Sequence, residues 1–261
     1  MTGISKEVVF TVSRIRTTFV NDIGNPPRMG SGTGVFLRGR SGKLAFVTNR
    51  HNVDPSMKLG AGWALQDVDL LVRLHEAGAP VQETKWARLA MNRTRVLVAD
   101  AGDVAALADL ESVGPLGNFG YKALNVKLAT DESFARDTQI MDPISFIGYP
   151  GLAGQPWWDE KWETPIARTA TIASDPAIPF TNSSVYASDV TLVAGLSFSG
   201  SSGSPVFTHA KPGVVGAEPP MLVGIMSGHL LDDPSSSHPM RHSGLSYYTR
   251  ATSIAKVLDL V

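Results

Sequence analysis

Glycine and proline recur 25 and 17 times along these 261 residues, and they divide the chain into short segments. What fits between such breaks is a set of short strands closed by tight turns. The segments themselves agree. Glu7 to Val20 (EVVFTVSRIRTTFV) is rich in β-branched and aromatic residues and partly alternates, which predicts a strand. Gly30–Leu37 and Leu44–Thr48 flank a Ser41-Gly42-Lys43 turn and predict a hairpin, with Val68–Leu74 and Thr84–Leu89 as further strands of the same half. The pattern loosens between about Gly114 and Asp142. Beyond it, a short apolar strand begins at Pro143 and ends at Gly148-Tyr149-Pro150-Gly151, and Ile166–Ala173, Val185–Leu192 and Met221–Ser227 are expected strands. Apolar Ile254, Val257 and Leu258 within 251–260 have helical spacing and predict one helix at the C-terminus. An all-β chain results, divided as residues 1–115, a connection over 116–142, and 143–261. With 43% hydrophobic residues it can fill a substantial core.

The stretch with the most chemical content is Gly195 to Phe207, GLSFSGSSGSPVF. Glycines at 200 and 203 let the backbone turn sharply and bring the amides of Gly200 and Ser202 together beside the Ser202 hydroxyl. Pro205 then ends the turn and Val206-Phe207 begins a strand. A serine hydroxyl becomes a nucleophile when a base removes its proton, and acyl transfer needs donors aimed at the developing oxyanion. The amides of Gly200 and Ser202 supply such donors. Taken alone, the segment also reads as a plain Ser/Gly-rich loop, so a base is needed as a second signal. Upstream, the apolar strand Leu44–Thr48 runs into Asn49-Arg50-His51, which sets a histidine at a strand end.

This pairing resembles the trypsin-like (chymotrypsin-fold) serine peptidases, whose G-[D/N]-S-G-[G/S]-P and T-A-x-H motifs stand here as GSSGSP and TNRH. The likeness runs from about Glu7 to the C-terminus and is nearest to bacterial members without cysteines. It departs from the family at Ser201, where Asp or Asn is usual, and at Asn49, where animal enzymes carry a small residue. The resemblance implies two antiparallel six-stranded β-barrels with a short C-terminal helix. It also implies a cleft between the barrels holding a triad of His51, Asp103 and Ser202.

Asp103 enters through the resemblance. Asp103-Val104-Ala105-Ala106-Leu107 matches the family's D-[I/V]-A-x-[L/I] strand, whose Asp orients the histidine. Asp103 also reads as a turn residue after Gly102, which leaves Asp100 or Asp69 as alternatives. The order His, Asp, Ser is that of the chymotrypsin-like fold, whereas α/β-hydrolases run Ser, Asp, His. An esterase of that second fold fits poorly, because Ser204 replaces the last glycine of G-x-S-x-G. A catalytically silent module that keeps the fold for binding or regulation is the other alternative.

The resemblance further implies a substrate pocket. Leu196, six residues before the nucleophile, would lie at its base, with Ser197 and Ser199 beside it. Ser227, Gly228 and His229 would form the wall, on a strand that pairs with substrate backbone. Without an Asp at the base, small or apolar side chains are expected at the cleaved position. Ser201 also removes the carboxylate with which a newly cut N-terminal amine pairs in animal trypsins. The oxyanion loop is therefore either formed from the outset or ordered by something else.

Several classes are excluded or left without support. The absence of cysteine removes disulfides, thiolate nucleophiles and cysteine zinc sites. The GSGTG run at Gly30–Gly34 has no Lys-Ser/Thr pair after it and no helical pattern, so it is not a phosphate loop. Net charge is −1 with 18% charged residues, which gives no nucleic-acid footprint. No histidine pair has zinc spacing, so neither metal nor cofactor is expected. His75, His209, His238 and His242 read as ordinary surface or core histidines, and Trp157-Trp158 either lines a cleft or covers a barrel end. The expected partner is a polypeptide substrate. Met1–Glu7 lacks the pattern of a signal peptide and no window is long enough to span a membrane, so a cytoplasmic location is expected. A cytoplasmic peptidase without a propeptide must be restrained by narrow specificity, an ordering transition or a regulatory protein partner.

Overall fold

The computed structural model describes residues 6–74, 83–116, 119–152, 155–185, 187–209, 220–232 and 241–261. A short 3-10 turn (Lys6–Phe10) precedes the first strand, so the predicted Glu7–Val20 strand begins five residues late. The first half then contains β1 (Val12–Asn21), β2 (Arg28–Arg38), β3 (Leu44–Thr48) and β4 (Trp63–Leu74). It continues with β5 (Thr84–Arg88), β6 (Arg95–Val98), β7 (Ala105–Ala108) and β8 (Phe119–Gly120). Their order is β5-β4-β1-β2-β3-β7-β6, with β8 added on β4.

This sheet is not closed by hydrogen bonds, which corrects the expected barrel in the first half. Its edges explain why. β5 carries Lys85 and Arg88, and β6 begins with Arg95. Arg88 Nε is 2.9 Å from Asp69 Oδ1, and Arg95 Nε is 2.6 Å from Asp109 Oδ2. Charged, solvated side chains keep such edges from pairing with one another.

Among the described residues the connection holds one helical element, α1 (Asp131–Asp137), which begins where Thr130 Oγ1 accepts from the Ser133 amide at 3.2 Å. The second half comprises β9 (Pro143–Gly148), β10 (Gly151–Leu152), β11 (Gln155–Pro156) and β12 (Ile166–Ile172). It ends with β13 (Val190–Ala194), β14 (Pro205–Thr208), β15 (Leu222–Asp232), β16 (Arg241–Arg250) and α2 (Ala251–Leu258). Six of these strands form a closed barrel in the order β12-β13-β16-β15-β14-β9. The chain is thus all-β, with one closed six-stranded barrel, an open first-half sheet and a short C-terminal helix.

One large core runs through both halves. Val35 and Val47 of the first sheet, Phe146 and Ile225 of the barrel, and Ile254 and Val257 of α2 belong to the same buried cluster. A smaller core lies inside the first sheet around Ile15, Phe46 and Leu107. Among the described residues no helix is long and apolar enough to cross a membrane.

Register brings the distant parts of the chain together. β3 and β7 are antiparallel with Thr48 opposite Ala105, so the residues leaving β3 and those entering β7 emerge at one edge. His51 follows the first and Asp103 precedes the second. The barrel delivers the third residue, because the loop from Gly195 to Ser204 joins β13 to β14.

Candidate functional site

After β3 the chain makes a 3-10 turn over Arg50–Asn52, and the His51 ring is buried there with 9% of the residue exposed. Asp103 is buried beside it. Its carboxylate accepts twice from the same residue, from the His51 backbone amide at 3.0 Å and from His51 Nδ1 at 2.6 Å. That second bond places the ring proton on Nδ1 and leaves Nε2 as the basic atom. Nε2 is buried and has no hydrogen-bond partner among the described residues. Neither alternative carboxylate approaches the ring in this way. Asp69 is bound by Arg88, and Asp100 is exposed.

Asn49, the departure noted in the TNRH motif, is fully buried and braces this pair. Its Nδ2 donates to the Asp103 carbonyl at 2.8 Å and to Ser227 Oγ at 2.7 Å. A small residue at 49 would leave both acceptors without this donor.

The loop carrying Ser202 is held from three sides. Its own turn is closed by Ser201 N to Phe198 O at 2.9 Å and Ser204 N to Ser201 O at 2.9 Å. β15 holds it through Gly203 N to Met226 O at 2.8 Å. The glycine-rich start of β2 holds it through Thr33, whose amide donates to Ser202 O at 2.8 Å and whose hydroxyl donates to Gly200 O at 2.7 Å. Asn52 Nδ2 also reaches Ser202 O at 3.3 Å. Gly200 and Gly203 both have left-handed backbones, with φ of +82° and +88°. A Cβ on Gly200 would overlap the Tyr149 carbonyl oxygen, and one on Gly203 would overlap the Thr33 carbonyl oxygen. Glycine is therefore required at both positions by conformation and by space.

Arg168 on β12 supplies a further tie that sequence reasoning missed. Its guanidinium donates to Leu196 O at 3.0 Å and to Ser201 Oγ at 2.6 Å, so it binds both ends of the loop segment 196–201. It lies over the Phe146 ring at 4.6 Å, and burial pulls its pKa down to about 10. Among the described residues no carboxylate pairs with it. Nothing in the sequence marks Arg168, one of 23 lysines and arginines, because both partners are 28 or more residues away.

His51, Asp103 and Ser202 line one cavity of about 690 Å3 together with Ser197, Ser199, Gly200, Ser227, Gly228 and His229. Leu196 stays outside that lining. It is half-exposed, and its carbonyl is the group that Arg168 holds. His229 stacks on His242 with ring centres 4.5 Å apart and planes at 17°. His242 Nδ1 lies 2.9 Å from Gly244 N, and its Nε2 lies 3.2 Å from both Ser197 N and Ser246 Oγ. Burial lowers the pKa of His229, and burial followed by the His229 charge lowers that of His242. Burial thus disfavours a positive charge on both rings.

The remaining candidates lie elsewhere. His209 Nε2 is 2.6 Å from Ser145 Oγ, away from this cavity, and His75 and His238 lie outside the described residues. Trp157 packs edge-on against Phe198 at 4.6 Å, while Trp158 lines a second cleft on the far side of Gly200. Among the described residues no group of His, Asp and Glu could hold a metal ion. No protein-family model matches this chain, and no curated protein matches it in sequence.

Proposed function

We propose that this chain is a serine endopeptidase of the trypsin-like kind, with the open first-half sheet standing where that fold has its first barrel. One observation carries the reading. The His51 ring has its Nδ1 proton fixed by a buried carboxylate and its Nε2 left unpartnered, and His51 and Ser202 line one cavity. In this reading Ser202 attacks the peptide carbonyl and His51 takes its proton, later giving it to the leaving amine. Asp103 holds the imidazole in its productive tautomer and stabilises the imidazolium. The Gly200 and Ser202 amides donate to the oxyanion, and the turn's own bonds, from Ser201 N and Ser204 N, use neither of them. Water then releases the acyl group by the same route.

The test is a fluorophosphonate probe on the purified chain beside Ser202→Ala and His51→Ala, with the adduct mapped by mass spectrometry. Labelling at Ser202 that vanishes in both variants supports the reading. A folded chain that does not label favours a second one, a catalytically silent binding or regulatory module. That alternative draws on the absence of a hydrogen bond between His51 Nε2 and Ser202. Such bonds are often long before substrate arrives.

Arg168 takes the place that the missing carboxylate at 201 has in animal trypsins: it orders the oxyanion loop without any cleavage event. Arg168→Ala is expected to slow Ser202 labelling about a hundredfold, comparable to misplacing one oxyanion donor. Added guanidinium ion should restore part of that rate by refilling the vacated site. A rate unchanged in Arg168→Ala would show that the loop holds its shape without the arginine.

A further inference from the structure

Arg14 and Arg16 stand two residues apart on β1 and therefore on the same face. Both are half-buried. Arg14 Cζ lies 5.5 Å from the Trp86 ring centre and 4.4 Å from that of Trp158, and Arg16 Cζ lies 3.7 Å from Trp86. Tryptophan faces hold the two cations in place but do not neutralise them. Among the described residues neither guanidinium donates a hydrogen bond or forms an ion pair, although Arg88, Arg93, Arg95 and Arg250 all do so with carboxylates. Burial lowers the Arg14 pKa and the neighbouring Arg16 charge lowers it further, with the Glu163 carboxylate acting in the opposite direction. Two like charges held together and half-buried constitute a site that a further anion would relieve.

The two arginines line a cleft of about 430 Å3. Ser31, Ser199 and Gly200 line both this cleft and the Ser202 cavity, so the two meet across the oxyanion loop. Glu163 and Glu160 line the cleft as well. Glu163 Oε2 accepts from Thr84 Oγ1 at 2.6 Å, and Glu160 is exposed. Their presence disfavours a polyanion and suits a single carboxylate brought to the arginines on a peptide.

We infer that this cleft binds an acidic side chain, Asp or Glu, within the first three residues after the cleaved bond. The inference rests on the peptidase reading for its direction. There β15 faces the acyl part of the substrate, so the leaving segment runs to the other side of Gly200. Three extended residues span about 10 Å, a reach suited to a cleft that begins at Gly200 itself.

The test uses an alanine-rich eight-residue peptide with two glutamates in its second half, and its glutamine counterpart. Binding of each, fluorescently labelled, is followed by anisotropy on the Ser202→Ala chain. The glutamate peptide is expected to bind about tenfold more tightly, as hydrogen bonds to a charged group allow. That contrast should fall to about one in Arg14→Gln/Arg16→Gln and survive in Arg14→Lys/Arg16→Lys. Arg16→Gln alone, which leaves Arg14 packed between the tryptophans, should reduce it and covers the case where the double variant does not fold. Equal binding of the two peptides overturns the inference, whatever the catalytic result. Arginine-dependent contrast in a chain that does not label with fluorophosphonate would leave the acidic site standing and remove the peptidase reading.

Discussion

Replacing Asp103 by Asn is expected to slow the reaction of Ser202 with fluorophosphonate, and any peptide hydrolysis, by about ten-thousand-fold while leaving the fold intact. The size follows from the two bonds the carboxylate accepts. Oδ1 faces the His51 backbone N–H, a donor that cannot be reversed. An asparagine must therefore set its carbonyl oxygen there, which turns its NH2 toward Nδ1. The ring can accept that bond only with its proton on Nε2, and a protonated Nε2 is no longer a base. A variant reacting at the wild-type rate, in a background where His51→Ala abolishes labelling, would remove Asp103 from its assigned role.

The largest structural effect is expected at Gly203. In Gly203→Ala the Cβ would overlap the Thr33 carbonyl oxygen and lie 2.6 Å from Thr48 Oγ1, on a backbone with φ of +88°. The left-handed conformation costs about 1–2 kcal/mol for a residue with a Cβ. Forcing the loop off β2 adds an overpacking cost of about 2–3 kcal/mol, for a total of about 4 kcal/mol. Through the usual relation for a chain of this size, the thermal midpoint should fall by roughly 8–16 °C. Labelling at Ser202 should be lost with it. Gly42→Ala is the matched control, since it has φ of +82° with open space around it and bears the conformational cost alone. Midpoints that agree within about 2 °C between the two variants would show that the contact with Thr33 is not what fixes this glycine.

How much of this was legible in the sequence depended on how locally each feature is encoded. Leu44–Thr48 was read with its observed bounds because a short apolar run against a Ser-Gly-Lys turn admits little else. His51 and Ser202 were legible because each sits at a break next to such a strand. Asp103 needed the family likeness, since a lone Asp after Gly102 has no local property that separates it from Asp100. The register of β3 on β7 sets it beside His51, and single-chain patterns do not encode that pairing. Asn49 was visible as an oddity but not as a brace, because its acceptors come from residues 103 and 227. Closure of the first sheet could not be read either, as it turns on whether two charged edges pair. Counting back six residues from Ser202 sets Leu196 at a pocket base. In the structure Arg168 holds its carbonyl, and its side chain does not line the cavity.

The C-terminal helix sits where the two halves join. Asp189 of the second half accepts from Arg250, Thr252 and Ser253 at the helix start. At the other end, Arg40 N donates to Leu258 O and Ser41 Oγ to Val261 O, so the helix also grips the β2–β3 turn of the first half. Thr33 repeats this arrangement at the cleft itself. His51 and Ser202 belong to halves that are fastened at two separate places, and a hinge needs one place. Two fastenings leave no single hinge, so ligands are expected to enter the cleft through loop and side-chain adjustments without a parting of the halves.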